Sequence, residues 1–260
     1  MPDLKTISLV LAYVSSACEV ALLARLYTSG LYRIYRYFSF YIAFLVFRAL
    51  IAIPLGTGSD AFALIYVTTT PVFAFLYLLV LMELYRVVLA GSPGIATVSR
   101  WVILGGFLVA LAVAALTLGI DARGAALWVY PPVLLLHLFD RMVSSTVAFF
   151  LVLLTAFLVW FPVPLKRNVV VYSLGYSLYF VSRSLALLLR NVAGPSFVDM
   201  SSIINLSISI LCVLAWAFLL RADGEQERVV VGHKWSPGEA ERLVEQLNSL
   251  NATLLRTARR

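Results

Sequence analysis

Apolar positions dominate this chain in long blocks, and polar residues collect in the short intervals between them. About seven blocks fill residues 7–221, near 7–27, 38–56, 61–89, 101–119, 133–161, 169–190 and 199–220. Each is close to the roughly 20 residues needed to cross about 30 Å of hydrocarbon. The strands of a membrane barrel would alternate in polarity residue by residue, and these blocks do not. The pattern predicts an all-α, polytopic membrane bundle of seven transmembrane helices. The third and fifth blocks are longer than a crossing needs, so those helices are expected to tilt or project.

The pattern changes after residue 221, which divides a transmembrane domain (1–221) from a tail (222–260). A polar stretch and a brief β-like run, Val229-Val230-Val231, lead to Ser236, Pro237 and Glu239. These three are placed as N-cap, N1 and N3 of a helix, which is a capping box. Leu243, Leu247, Leu250 and Leu254 then recur at 4-3-4 spacing, predicting an amphipathic helix over about 237–258. A helix of some two heptads is marginal alone in water and must pack on something. The bundle's own end, the membrane interface, a second copy and another membrane subunit are the candidates for this partner-binding stripe.

Composition agrees with the pattern. Hydrophobic residues make up 62 % of the chain and charged ones 13 %, with a mean hydropathy of +0.95. The net charge of +7 is largely a topology signal. Arg33, Arg36, Arg86, Arg100, Lys166, Arg167 and Arg221 flank alternate connections, while Asp60, Asp121 and Asp199 mark the others. The positive-inside rule then puts the N-terminus outside and the tail in the cytoplasm. The expected location is the bacterial inner membrane, with lipid as the main partner and no nucleic acid. Ser15-Ser16-Ala17-Cys18, after Lys5, has the look of a signal-peptide end. The apolar pattern nevertheless continues through 20–26, as in a spanning helix. Cys18, Cys212, His137 and His233 show no metal-ligand or haem spacing, so no metal and no cofactor is expected. The last span has no lysine for a retinal Schiff base, and neither a phosphate loop, HExxH nor a nucleophile elbow occurs.

Charges within apolar blocks carry the remaining information, because a charge at bilayer depth is usually paired, cavity-facing or functional. Glu19 and Arg48 fall near the middles of adjacent antiparallel spans, which makes a midplane ion pair between them one expectation. Tyr176, Arg183 and Arg190 share a helix face at i, i+7 and i+14, with Asn205 and Ser209 on the next span. Glu19, Arg48, Tyr176, Arg183, Asn205 and Ser209 form the candidate ligand site. Asp140 is placed to neutralise Arg183 or Arg190, and Glu83 is placed to pair with Arg86 at i, i+3. Interhelical glue is the bland alternative for all of them. Thr68-Thr69-Thr70-Pro71 marks an expected kink. Tyr41, Arg48 and Leu50 repeat the spacing of Tyr176, Arg183 and Leu185. That suggests two parallel triplets of spans joined by the fourth, a plan found among transporters.

Several stretches carry a resemblance. They are 37–56 with Phe47-Arg48-Ala49-Leu50, Gly94-Ile95-Ala96 ahead of Arg100-Trp101, Trp160-Phe161-Pro162-Val163-Pro164-Leu165 running into Arg167-Asn168, and Leu250-Asn251-Ala252-Thr253-Leu254-Leu255-Arg256. Together they resemble uncharacterised bacterial seven-helix membrane proteins. The resemblance implies the fold and no activity. The functional expectation is a non-enzymatic, ligand-sensing or scaffold subunit acting through its polar core and tail. The alternative is a small carrier in which Arg48 and Arg183 receive an anionic solute.

Overall fold

The computed structural model describes residues 4–55, 59–90, 94–95, 97, 99, 101–109, 112, 131–160, 164–193, 198–230 and 236–258. The long helices are α1 (Leu4–Thr28), α2 (Arg36–Leu55), α3 (Asp60–Val88), α4 (Pro131–Trp160), α5 (Arg167–Ala193), α6 (Val198–Leu219) and α7 (Pro237–Ala258). A helical segment covers 101–109. The predicted fourth span, 101–119, lies largely outside the described residues.

Helices α1 to α6 each pack on the next, and α6 returns to α1, so the six form a closed ring. Helix α3 also touches α5 across the ring. Five of the helices, α1, α2, α3, α4 and α6, are long and apolar enough to cross a membrane. They make this an all-helical membrane protein. Helix α5 matches the others in length, 27 residues, but Asn168, Ser173, Ser177, Ser182, Arg183 and Ser184 lower its hydropathy. Its polarity is sorted by face. Leu174, Leu178, Val181 and Leu185 point out of the ring, while Tyr172, Ser173, Tyr176, Tyr179 and Phe180 are buried within it.

The same inversion holds around the ring. Phe47 and Leu50 of α2, Phe75 of α3, Phe149 of α4 and Leu211 of α6 are all more than half exposed. Such an apolar outer surface would be a liability in water and is the natural one in lipid. Inside, aromatic rings fill the centre. Phe38 packs edge-on to Trp216 (4.9 Å) and against Tyr172 (4.8 Å), and Tyr77 meets Phe180 (4.8 Å).

Local chemistry explains the joints. Gly30 adopts φ +72°, a left-handed conformation that only glycine enters without penalty, and turns the chain out of α1. Helix α3 starts on Ser59, whose hydroxyl accepts from the Phe62 amide. It runs unbroken past Pro71, and the hydroxyls of Thr69 and Thr70 donate to the carbonyls of Ile65 and Tyr66. Two short strands, β1 (Pro164–Lys166) and β2 (Arg228–Val230), pair antiparallel with Leu165 opposite Val229. The β-like run after α6 is thus half of a sheet whose other half precedes α5. At α7, the Glu239 carboxylate reaches back to both the amide and the hydroxyl of Ser236. Cys18 and Cys212 are free thiols.

Candidate functional site

A layer of polar side chains crosses the ring at the end remote from the tail. At 1.5 Å per residue, Arg48, Tyr66, Asp140, Arg183 and Asn205 lie about 9–15 Å in from the helix termini at that end. Helices α2, α3, α4 and α5 bring the first four together, and α6 supplies the fifth.

Arg183 donates through Nη2 to Asp140 Oδ2 at 2.5 Å and through Nε to Ser144 Oγ at 3.3 Å. Its guanidinium also lies over the Tyr77 ring, 5.9 Å from the centroid. This ion pair is largely shielded, with Asp140 buried. Arg48 is different. Its guanidinium lies 5.0 Å from the ring centroids of both Tyr66 and Phe73, and no carboxylate is within ion-pair distance among the described residues. Arg48 and Arg183 therefore flank the same aromatic face of α3. Among the described residues, two cations and one carboxylate leave the layer with an excess positive charge.

The expected Glu19–Arg48 pair is absent. Glu19 is buried, and its carboxylate accepts from the Ser15 hydroxyl one turn earlier at 3.1 Å. Glu83 likewise turns inward rather than pairing with Arg86, which is exposed. Its two oxygens accept from the amides of Tyr37 (3.0 Å) and Phe38 (3.1 Å) and so cap the N-terminus of α2. Tyr176 is fully buried, and Ser209 and Asn205 are half-buried on α6. The side chain of Arg190 lies outside the described residues. The hydroxyls of Tyr172 and Tyr176, Asn205 Oδ1 and Trp216 Nε1 are buried without a hydrogen-bond partner.

At the opposite end, the tail is locked to the ring by a joint that sequence reasoning missed. Glu225 accepts from Tyr35 Oη (2.8 Å), Lys166 Nζ (3.1 Å) and Asn168 Nδ2 (2.9 Å). Buried Asn168 also donates to the Arg221 carbonyl (2.6 Å) and accepts from its amide (3.2 Å). Gly224 sits flat against the Asn168 amide, where a Cβ would collide. Burial, then the bond to Glu225, holds the Tyr35 phenol well above its ordinary value and hence protonated as a donor. Partners 57 and 190 residues apart leave no local signal for such a joint.

Helix α7 docks on this same end. Asn251 Oδ1 accepts from the Gly94 amide at 2.7 Å, and Leu247 is buried. Leu250 and Leu254 line a cavity of about 330 Å³ together with Tyr85, Ile95, Ile103 and Phe150. Leu243 is half-buried.

A continuous series of ring contacts joins the two ends. It runs from Arg48 to Phe73, Tyr41 (6.1 Å), Tyr176 (6.5 Å), Tyr172 (5.9 Å) and Tyr35 (5.1 Å), and so to Glu225. The Tyr41 and Tyr179 hydroxyls add a bond of 3.3 Å across the ring. Among the described residues no group of three or more His, Cys, Asp or Glu is placed to hold a metal ion. The chain matches no family model, no curated protein and no solved structure in comparisons with known proteins.

Proposed function

We propose that this chain is a seven-span protein of the bacterial inner membrane, N-terminus outside, that senses a small anion and reports it through its cytoplasmic tail. The segment at 101–109 and the lipid-suited outer face of α5 support seven crossings. The basic residues at alternate connections support the orientation. The observation that carries the functional reading is Arg48, a cation at membrane depth with two aromatic rings and, among the described residues, no carboxylate beside it. A half-buried guanidinium in that position is stabilised by an arriving carboxylate or phosphate, which it meets with two parallel hydrogen bonds. The aromatic series and the Glu225 joint then give the bound state a route to the tail. The test is thermal unfolding in nanodiscs with phosphate, sulfate, acetate and succinate in turn. At least one should raise the midpoint of the wild type and leave Arg48→Gln unmoved. Equal shifts in both proteins would remove Arg48 from the reading.

The carrier reading has its own support. Tyr41 and Tyr176, which match in the short repeat, meet ring to ring, and their arginines flank one face of α3. Cys212, buried in α6, distinguishes the two. A carrier with Cys18→Ser admits a membrane-impermeant maleimide to Cys212 as it cycles, and an anion slows the labelling. A sensor keeps Cys212 unlabelled until it is unfolded.

A further inference from the structure

A cavity lies away from the polar layer, on the outside of the ring near the tail end, between α1, α2 and α3. It encloses about 900 Å³. Val20, Leu23 and Tyr27 of α1, Phe40 of α2 and Leu79 of α3 form its walls, and Arg36 stands at its mouth. The walls are apolar for about 10 Å along α1, from Tyr27 back to Val20. Ser39 also lines them, but its hydroxyl is bonded to the Tyr35 carbonyl at 2.8 Å. Polarity is confined to one end.

That end is cationic. Arg33 and Arg36 are exposed, and neither has a carboxylate within ion-pair distance among the described residues. Arg33 Nε donates to Tyr32 Oη at 3.1 Å with its guanidinium over the same ring, and Tyr32 stacks on Tyr27 at 5.2 Å. Tyrosines at this depth sit at the level of lipid headgroups. A long hydrocarbon slot with Arg36 in its lining, and with Arg33 held on the lining residue Tyr32 beside it, has the polarity of one molecule class.

We propose that this groove binds a single anionic phospholipid, one acyl chain between α1 and α2 and its phosphate at Arg36 and Arg33. The site rests on the chain lying in a membrane and is independent of the anion site at Arg48. A zwitterionic lipid fills the walls equally well but brings its own ammonium to the arginines. The selectivity therefore lies in the charge at the mouth.

The test is native mass spectrometry of the full chain in detergent with equimolar phosphatidylglycerol and phosphatidylcholine of identical chains. Two basic side chains at an anionic headgroup are expected to favour the first lipid by roughly tenfold or more. The double variant Arg33→Gln/Arg36→Gln should bring the two lipids to parity, and Arg33→Lys/Arg36→Lys should keep most of the preference. Exposed Ala24 lines the groove, so Ala24→Trp should remove the adduct of either lipid. Excess glycerol phosphate, which has no acyl chain, should not displace the lipid. Parity in the wild type, a preference surviving the double Gln variant, or an adduct surviving Ala24→Trp would overturn the proposal. Displacement by glycerol phosphate would also overturn it, assigning the arginines to a soluble phosphate.

Discussion

Asp140 and Arg183 show how one substitution separates a paired charge from a stranded one. Asp140→Asn leaves the Arg183 guanidinium without its ion-pair partner, beside Ser144 and the Tyr77 ring. Breaking a buried pair from one side costs about 3–5 kcal/mol, whereas replacing both partners with apolar residues is often neutral. The thermal midpoint of Asp140→Asn should therefore fall clearly, and Asp140→Leu/Arg183→Met should recover most of it. A double variant no better than the single one would show that the charge itself is needed. Gly224→Ala is expected to loosen the tail joint, because the new methyl meets the Asn168 amide. Forced overpacking of this kind costs about 1–3 kcal/mol. Tyr35 gives the joint a pH dependence. Its pKa is raised on folding, so its contribution is complete below the unfolded phenol value of roughly 10 and is lost as pH rises toward the folded one. Exchange of amides in 221–230 should quicken in strong base in the wild type, and Tyr35→Phe should abolish that component.

Helix α7 depends on its dock, since a helix of 22 residues with a narrow apolar stripe has little stability of its own. Leu247→Ala removes a buried side chain, and Asn251→Ala removes the bond to Gly94. Either variant should expose 237–258 to limited proteolysis while the ring's unfolding midpoint stays within a few degrees. At this scale the sequence was a good guide. Apolar blocks located five spanning helices to within a few residues, and the capping box located the start of α7. Helix α5 was legible as a helix by length and by Leu174, Leu178, Val181 and Leu185 recurring against an inner aromatic stripe. The partner of each inward charge was the hidden quantity. Helix α1 is apolar nearly all round, so nothing in its pattern says that Glu19 faces Ser15 rather than Arg48. The same gap sent Glu83 to the amides of α2 instead of Arg86. The joint at Glu225 joins residues far apart in the chain, and no periodicity foretells it.

Across the whole molecule, six helices enclose an aromatic core with a cationic polar layer near one end and a clasped tail at the other. The proposed orientation makes a simple demand. Tags at the two termini should be protected on opposite sides of sealed inverted and right-side-out vesicles, and protection on the same side would contradict seven crossings. The central claim is that the layer at Arg48 and the joint at Glu225 are two ends of one element. Rigid neighbours that share packed rings transmit a change only if both sites bias the same equilibrium. Hydrogen exchange of residues 221–230 and 237–258 in nanodiscs, with and without the anion that raises the unfolding midpoint, tests this most directly. The anion should change exchange in both tail segments of the wild type, and in neither segment of Arg48→Gln or Tyr176→Leu. Binding that leaves tail exchange unchanged, or a tail response that persists without Arg48, would contradict it.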